Sequence, residues 1–167
     1  FAEMIDEAGF PAGVFNMLNG DGAGTGTALS CHPDVDMVSF TGSSRAGRLI
    51  SINAAETLKR VHLELGGKGA NVIFEDADEK AVKRGVLHMM NNTGQSCNAP
   101  SRMLVERSKY DSAVQEAALI ADSVTVGPAS AEGRHIGPVV NQVQWNKIQD
   151  LIQKGLDEGA KLVAGGT

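Results

Sequence analysis

The sequence is short of cysteine, positive charge and long apolar runs, and each shortage narrows what the chain can be. Two cysteines, Cys31 and Cys97, are too few for a disulfide framework. Because 20 acidic side chains outnumber 15 basic ones, the net charge is −5, which argues against nucleic acid as a partner. No apolar run reaches the length of a membrane span. These features predict a globular cytoplasmic protein without a nucleic-acid or membrane partner.

Apolar periodicity, interrupted by glycine and proline, predicts strands that alternate with helices. The predicted strands are 14–18, 37–40, 61–65, 71–74, 102–105 and 161–164. The predicted helices are 1–8, 24–30, 44–54, 78–90, about 110–121 and about 145–156. Such alternation is typical of an α/β architecture with largely parallel strands. Gly66-Gly67 is the predicted hinge, which gives domains 1–66 and 67–167.

The segment Gly42-Ser43-Ser44-Arg45-Ala46-Gly47 follows a predicted strand and opens a predicted helix. Free backbone N–H groups and the positive end of the helix dipole favour an anion there, such as a dinucleotide pyrophosphate. The spacing is GxxxxG rather than GxGxxG, and no Lys-Ser/Thr pair follows as in a P-loop. A plain helix capped by Ser43 or Ser44 is the alternative, and the two interpretations can both hold.

Cys97 lies in a polar setting, between the turn-forming Asn91-Asn92-Thr93-Gly94 and Asn98. A structural cysteine more often has apolar neighbours, which makes Cys97 a candidate nucleophile. We expect a helix to begin at Ser96 or Cys97, where its dipole would stabilise a thiolate. A small core residue is the alternative. Cys31 beside His32 is not expected to form a catalytic pair, because adjacent side chains rarely point at each other.

Glu64 lies near the end of the predicted strand 61–65, where a carboxylate is costly unless it is paired or used. An ion pair with Lys59, Arg60 or Lys68 is one interpretation. The other is a general base, which burial at the end of the strand would favour.

Three motifs together resemble those of the aldehyde dehydrogenase superfamily in order and approximate spacing. They are Phe40-Thr41-Gly42-Ser43, Leu63-Glu64-Leu65-Gly66-Gly67-Lys68 and Gly94-Gln95-Ser96-Cys97. The resemblance runs from Phe1 to Thr167 and covers roughly the middle third of a full chain, so we expect a central fragment. It implies parts of two Rossmann-like subdomains. Residues 1–66 would be the C-terminal part of the NAD(P)-binding domain, and 67–167 the N-terminal part of the catalytic domain.

The resemblance also implies a function for the whole protein. A small-molecule aldehyde would be oxidised to a carboxylic acid with NAD or NADP, with Cys97 as the nucleophile and Glu64 as the base that activates water. The residues it assigns to the cofactor are Gly22, Gly26, Gly42, Ser43, Gly47 and Leu65. It implies a homo-oligomer. No metal site is expected, because the four histidines lack metal-ligand spacing.

Other parts of the family's site are expected outside residues 1–167. The resemblance places the lysine and acidic residue that hold the adenine ribose upstream, together with an asparagine that would join the Cys97 N–H at the oxyanion. It places a glutamate for the nicotinamide ribose downstream. Arg102 matches a family arginine, for which we expect a structural role.

Three alternatives stay open. The stretch around Gly22 and Gly26 has Ala23 where the family often has proline, so a flexible turn is possible there. Within the superfamily, the alternative is a semialdehyde or CoA-acylating dehydrogenase, although Glu64 favours hydrolysis because the CoA branch often lacks this base. Outside enzyme function, the alternative is a folded but inactive structural fragment.

Overall fold

The computed structural model describes residues 1–166 and shows helices alternating with strands along the chain. The strands are β1 (Met37–Gly42), β2 (Arg60–Leu65), β3 (Ala70–Ile73) and β4 (Arg102–Val105). The helices are α1 (Ala2–Glu7), α2 (Thr27–Cys31), α3 (Ser44–Ala55), α4 (Ala81–Met90), α5 (Tyr110–Ser123) and α6 (Gln142–Asp157). The predicted α/β class is confirmed. None of the helices within residues 1–166 combines the length and apolar character needed to cross a membrane.

The chain divides into two units, Phe1–Leu65 and Gly66–Thr167. The division falls beside the Gly66-Gly67 pair at which the sequence predicts a hinge. Each unit contains one pair of parallel strands, β1 with β2 in the first and β3 with β4 in the second. The assignment of the units to cofactor binding and catalysis stays a prediction.

In the first unit, α3 connects β1 to β2 and packs on one face of this strand pair. Along β2, Val61, Leu63 and Leu65 are half-buried, while the residues between them are exposed. Gly47 of α3 is buried against this apolar face, where an added Cβ would come within 2.9 Å of the Leu65 side chain. The glycine therefore lets the helix approach the sheet closely.

In the second unit, α4 and α5 pack together beside β3 and β4. Three buried side chains, Val82, Val86 and Ala113, form the centre of this core. Around them lie the half-buried apolar residues Met90, Met103, Val105, Ala117, Ile120 and Ala121. The helical periodicity of residues 78–90 predicts one apolar stripe on α4, and its residues are buried or half-buried: Ala81, Val82, Gly85, Val86, Met89 and Met90.

The helix α4 begins at Ala81, three residues later than predicted, and Asp78 precedes its first turn. The Asp78 carboxylate accepts hydrogen bonds from the Arg84 guanidinium, with Nη1 at 2.8 Å, and from the Lys80 N–H at 2.9 Å. The Arg84 and Lys80 bonds lower the pKa of Asp78 from its ordinary 3.8 to about 2. Asp78 is thus part of a helix start, as the sequence indicates.

Gly85 is a position where we expect a bulkier residue to destabilise the fold. It is buried on α4, and an added Cβ would overlap Asn71 Nδ2 and approach Met103 Cε to 2.8 Å. Gly85→Val should therefore lower the free energy of unfolding by about 1–3 kcal/mol. Gly155→Val is the matched control, because Gly155 of α6 has open space around it. Thermal unfolding of the two variants tests this, and equal melting temperatures would contradict it.

Two predicted strands are wrong. Residues 14–18 and 161–164 are apolar runs without strand structure. A strand requires a hydrogen-bonded neighbour, and within residues 1–166 neither run has one. Residues 14–18 instead follow a turn in which the Val14 N–H donates to Pro11 O, and the Phe15 ring meets the Phe1 ring edge-on at 5.5 Å.

Candidate active site

The segment that leads to Cys97 has an unusual backbone. After α4 the chain makes a tight turn, Asn91–Gly94, in which Asn92, Thr93 and Gly94 have φ of 50°, 59° and 71°. This left-handed region suits glycine and tolerates asparagine, but it is unfavourable for a β-branched residue such as Thr93. Such strain is of the order of 1–3 kcal/mol and persists only where surrounding contacts hold it.

Cys97 lies in a turn, so the prediction of a helix starting at Ser96 or Cys97 is wrong. The Ala99 N–H donates to Ser96 O at 3.1 Å, and the chain then continues without helix to β4. Pro100 explains why no helix continues from this turn, because proline disfavours helical conformation in the residue before it. The Cys97 thiol is exposed. Within the described chain its backbone N–H has no hydrogen-bond acceptor, so this donor is available to a ligand.

The Cys97 loop, defined as residues 91–99, is tied to a distant segment of the same unit. Thr93 Oγ1 donates to Gly137 O at 2.8 Å, and Gln95 Oε1 accepts from the Val140 N–H at 2.8 Å. Neither contact is predictable from the sequence. The turn-forming composition of residues 91–94 indicates a turn, but no local pattern indicates the segment to which this turn is hydrogen-bonded.

Cys31 is also exposed, so exposure alone does not distinguish the two thiols. It is the last residue of α2, not part of a turn as its Asp- and Pro-containing surroundings suggest. The neighbouring His32 accepts a hydrogen bond from the Asp34 N–H at its Nδ1, 3.2 Å away. The His32 ring is therefore engaged with the chain that follows it, and no Cys–His pair forms.

Glu64 lies on the face of β2 opposite to α3. Its side chain is 64% exposed, so the burial expected for it is not found within residues 1–166. The alternative interpretation, an ion pair with Lys59, Arg60 or Lys68, is also not found among these residues. The Glu64 carboxylate instead lies 3.6 Å from His62 Nε2, and His62 Nδ1 lies 3.5 Å from Ser39 Oγ. Alternation along a strand explains the contact, since residues 62 and 64 share one face.

The turn between β1 and α3 has the local geometry of an anion site. Ser43 is the N-cap residue, and its Oγ accepts from the Ala46 N–H at 3.2 Å. The capped-helix interpretation is therefore correct. The N–H groups of Ser44 and Arg45 have no acceptor within the part of the chain that the structure describes. The preceding Gly42 lies against the Phe40 ring, which leaves no room for a Cβ.

Gly22 and Gly26 bound a short π-helical turn, Gly22–Gly26, that precedes α2. The Asp21 carboxylate caps this turn by accepting from the Gly24 N–H at 2.6 Å. The turn lines a cleft of about 540 Å³. Arg45 and Ala46, in the first turn of α3, line the same cleft. Two of the predicted cofactor residues thus share one cleft with the start of α3.

The remaining predicted positions have clear local roles. Leu65 is the last residue of β2 and pairs with Gly42 of β1, and its side chain covers Gly47. Arg102 Nε donates to Lys68 O at 2.9 Å, which fixes the start of β4 beside the start of β3 and agrees with a structural role. Within residues 1–166, no three His, Cys, Asp or Glu side chains are grouped so as to hold a metal ion.

Comparisons with known proteins assign the chain to a family. The sequence profile of the aldehyde dehydrogenase family matches residues 1–167. A 3-succinoylsemialdehyde-pyridine dehydrogenase from a Pseudomonas species is 56% identical over 166 residues, which cover 99% of this chain and 35% of that protein. A putative aldehyde dehydrogenase of Bacillus subtilis, DhaS, is 46% identical over 167 residues and is covered to 34%. The chain therefore spans about a third of the length of these relatives.

Solved structures agree with the sequence comparisons. An aldehyde dehydrogenase from Bartonella henselae has a TM-score of 0.98 at 63% identity, with 99% of this chain and 35% of that chain covered. A mutant aldehyde dehydrogenase C from Pseudomonas syringae, crystallised with NAD+ and octanal, has a TM-score of 0.96 at 46% identity, with 99% and 34% covered. The chain belongs to the aldehyde dehydrogenase family.

Proposed function

We propose that the whole protein containing this chain oxidises an aldehyde to a carboxylic acid with NAD or NADP, through a covalent intermediate on Cys97. The observation that carries the proposal is the Cys97 turn. It presents an exposed thiol beside a backbone N–H without an acceptor, in a chain that matches the aldehyde dehydrogenase family throughout. A thiolate nucleophile requires a reducing compartment, so we place the enzyme in the cytoplasm. We expect it to form a homo-oligomer.

The role of Cys97 is nucleophilic attack. Its thiolate sulfur bonds to the aldehyde carbon, and the carbonyl π electrons move to the oxygen to give a thiohemiacetal. The free Cys97 N–H donates to the resulting oxyanion, which an aligned donor stabilises more than it does the neutral carbonyl. A bound nicotinamide would supply the hydride acceptor for the next step. Loss of hydride leaves a thioester on Cys97.

The role of Glu64 is to remove a proton from water. The hydroxide attacks the thioester carbonyl, the carbon–sulfur bond breaks, and the carboxylic acid leaves while Cys97 returns as a thiolate. The Glu64 carboxylate is exposed, with His62 Nε2 at 3.6 Å, and can accept that proton. A general base at this position also favours hydrolysis over transfer of the acyl group to CoA.

A dinucleotide fits the first unit through backbone donors and small residues. The Ser44 and Arg45 N–H groups at the start of α3 suit a pyrophosphate, and Gly42 and Ser43 shape the turn that presents them. The nearby glycine turn lacks side chains at Gly22 and Gly26, which permits close approach of a ligand along the cleft. We assign the Leu65 carbonyl to the nicotinamide carboxamide, and Gly47 to the packing that holds α3 in place.

A semialdehyde is the second candidate substrate class. The relative that is 56% identical is named 3-succinoylsemialdehyde-pyridine dehydrogenase. The Pseudomonas syringae structure holds octanal instead, a plain aliphatic aldehyde. Comparing kcat/KM of the whole protein for octanal and for an aldehyde that carries a distal carboxylate separates the two classes.

Selective alkylation tests the assignment of the nucleophile. With limiting iodoacetamide, we expect Cys97 of the whole folded protein to be labelled before Cys31, because its turn leaves the thiol beside an uncommitted backbone donor. Peptide mass mapping gives the site, and loss of turnover should follow the fraction of Cys97 that is labelled.

Cys31→Ser is the matched control for this experiment. It should keep turnover and its sensitivity to iodoacetamide, whereas Cys97→Ser should lose turnover. Earlier labelling of Cys31, or activity that survives full labelling of Cys97, would contradict the proposed function.

A further inference from the structure

The conformation of residues 92–94 requires a restraint from elsewhere in the protein. Three consecutive residues are left-handed, and the middle one, Thr93, is β-branched. A threonine side chain does not favour a φ of 59°, so contacts of this segment must hold Thr93 in that conformation. Relaxation of Thr93 would redirect the chain only four residues before Cys97.

Two side chains supply that restraint. The Thr93 hydroxyl donates to Gly137 O, 44 residues away and partly buried, at 2.8 Å. The Gln95 amide is used at both ends, since Nε2 donates to Asn92 O at 3.2 Å and Oε1 accepts from the Val140 N–H at 2.8 Å. Residues 137–140 are thus hydrogen-bonded to the loop on both sides of Gly94.

We infer that Thr93 and Gln95 are positioning residues that clamp the Cys97 loop onto residues 137–140 and so fix the direction of the Cys97 thiol and N–H. This inference rests on the proposed role of Cys97 as the nucleophile. The clamp residues touch the backbone of the loop and not the reacting atoms, so they act through Cys97. Their loss should disturb the geometry of attack and leave the affinity for the aldehyde nearly unchanged.

The first test is hydrogen exchange in the whole protein. Thr93→Val keeps the branched shape but removes the hydroxyl, and Thr93→Ser keeps the hydroxyl. We expect amide exchange in residues 91–99 and 137–140 to rise by about tenfold or more in Thr93→Val, with other peptides unchanged. Thr93→Ser should exchange like the unmodified protein. This readout does not depend on turnover, so it distinguishes failure of the clamp from failure of the proposed function.

The second test is steady-state kinetics of the same variants. Thr93→Val should lower kcat by about 10–100-fold with KM within about twofold, and Thr93→Ser should restore most of kcat. Unchanged exchange, unchanged kcat, or equal losses in both variants would overturn the inference. Should Thr93→Val fail to fold, Gln95→Met, which removes both amide hydrogen bonds, takes its place in both assays. If neither variant folds, the two residues hold the fold rather than the thiol, and the inference fails.

Discussion

Glutamine in place of Glu64 is expected to lower steady-state turnover of the whole protein by about 10²–10⁴-fold, the usual worth of a general base. The initial burst of NADH should survive, because Glu64 is assigned to the water that hydrolyses the thioester, after hydride transfer. Glutamine keeps the size and strand position of Glu64 but cannot take the proton. Stopped-flow absorbance gives the burst amplitude, and the linear phase gives turnover.

Glu56→Gln is the matched control, because Glu56 is another exposed carboxylate of the first unit, at the end of α3. It should leave both phases unchanged. If the burst and the turnover disappear together in a folded Glu64→Gln protein, Glu64 acts earlier, on the proton of Cys97. Full turnover in this variant would remove Glu64 from the reaction.

A polypeptide of residues 1–167 alone is expected to bind NAD poorly and to show no dehydrogenase turnover. The chain spans about a third of the length of its relatives, and the resemblance places the adenine-ribose contacts and one oxyanion donor in the remainder. Positioning contributes about 7–11 kcal/mol to reactions of this type, so a partial site should be nearly inert.

Calorimetric titration with NAD and an absorbance assay with a short aliphatic aldehyde test this second prediction. The whole protein is the positive control, and circular dichroism establishes whether the isolated polypeptide folds. Micromolar affinity together with measurable turnover would contradict the prediction and would show that the missing contacts are supplied from within residues 1–167.

Local patterns predict the paired elements well because each carries its own signal. The strands β1, β2, β3 and β4 were expected within a few residues of their observed positions, since each is an apolar run that turn formers delimit. The stripe on α4 likewise follows from periodicity alone. The strand predictions for 14–18 and 161–164 are wrong because a strand needs a hydrogen-bonded neighbour. The sequence of the run itself does not specify that neighbour.

The environment of the candidate residues was harder to predict than their positions. The polar residues before Cys97 favour a helix start there, but Pro100 prevents the turn from continuing as a helix. The strand pattern gives Glu64 a place on one face of β2 and does not state what covers that face. The contacts of Thr93 and Gln95 join residues 44 and 45 positions apart, and no local periodicity reaches that far.

The parallel pairing of the strands has a consequence for the order of folding. In the first unit, β1 and β2 pair across 23 residues, as between Ser39 and His62, and the connection contains α3. In the second unit, Ala70 pairs with Arg102 and the connection contains α4. Each ladder therefore closes within its own stretch of chain, which limits the entropic cost of loop closure. During synthesis the first ladder can form while the second is still being translated, so nascent-chain folding should proceed one unit at a time.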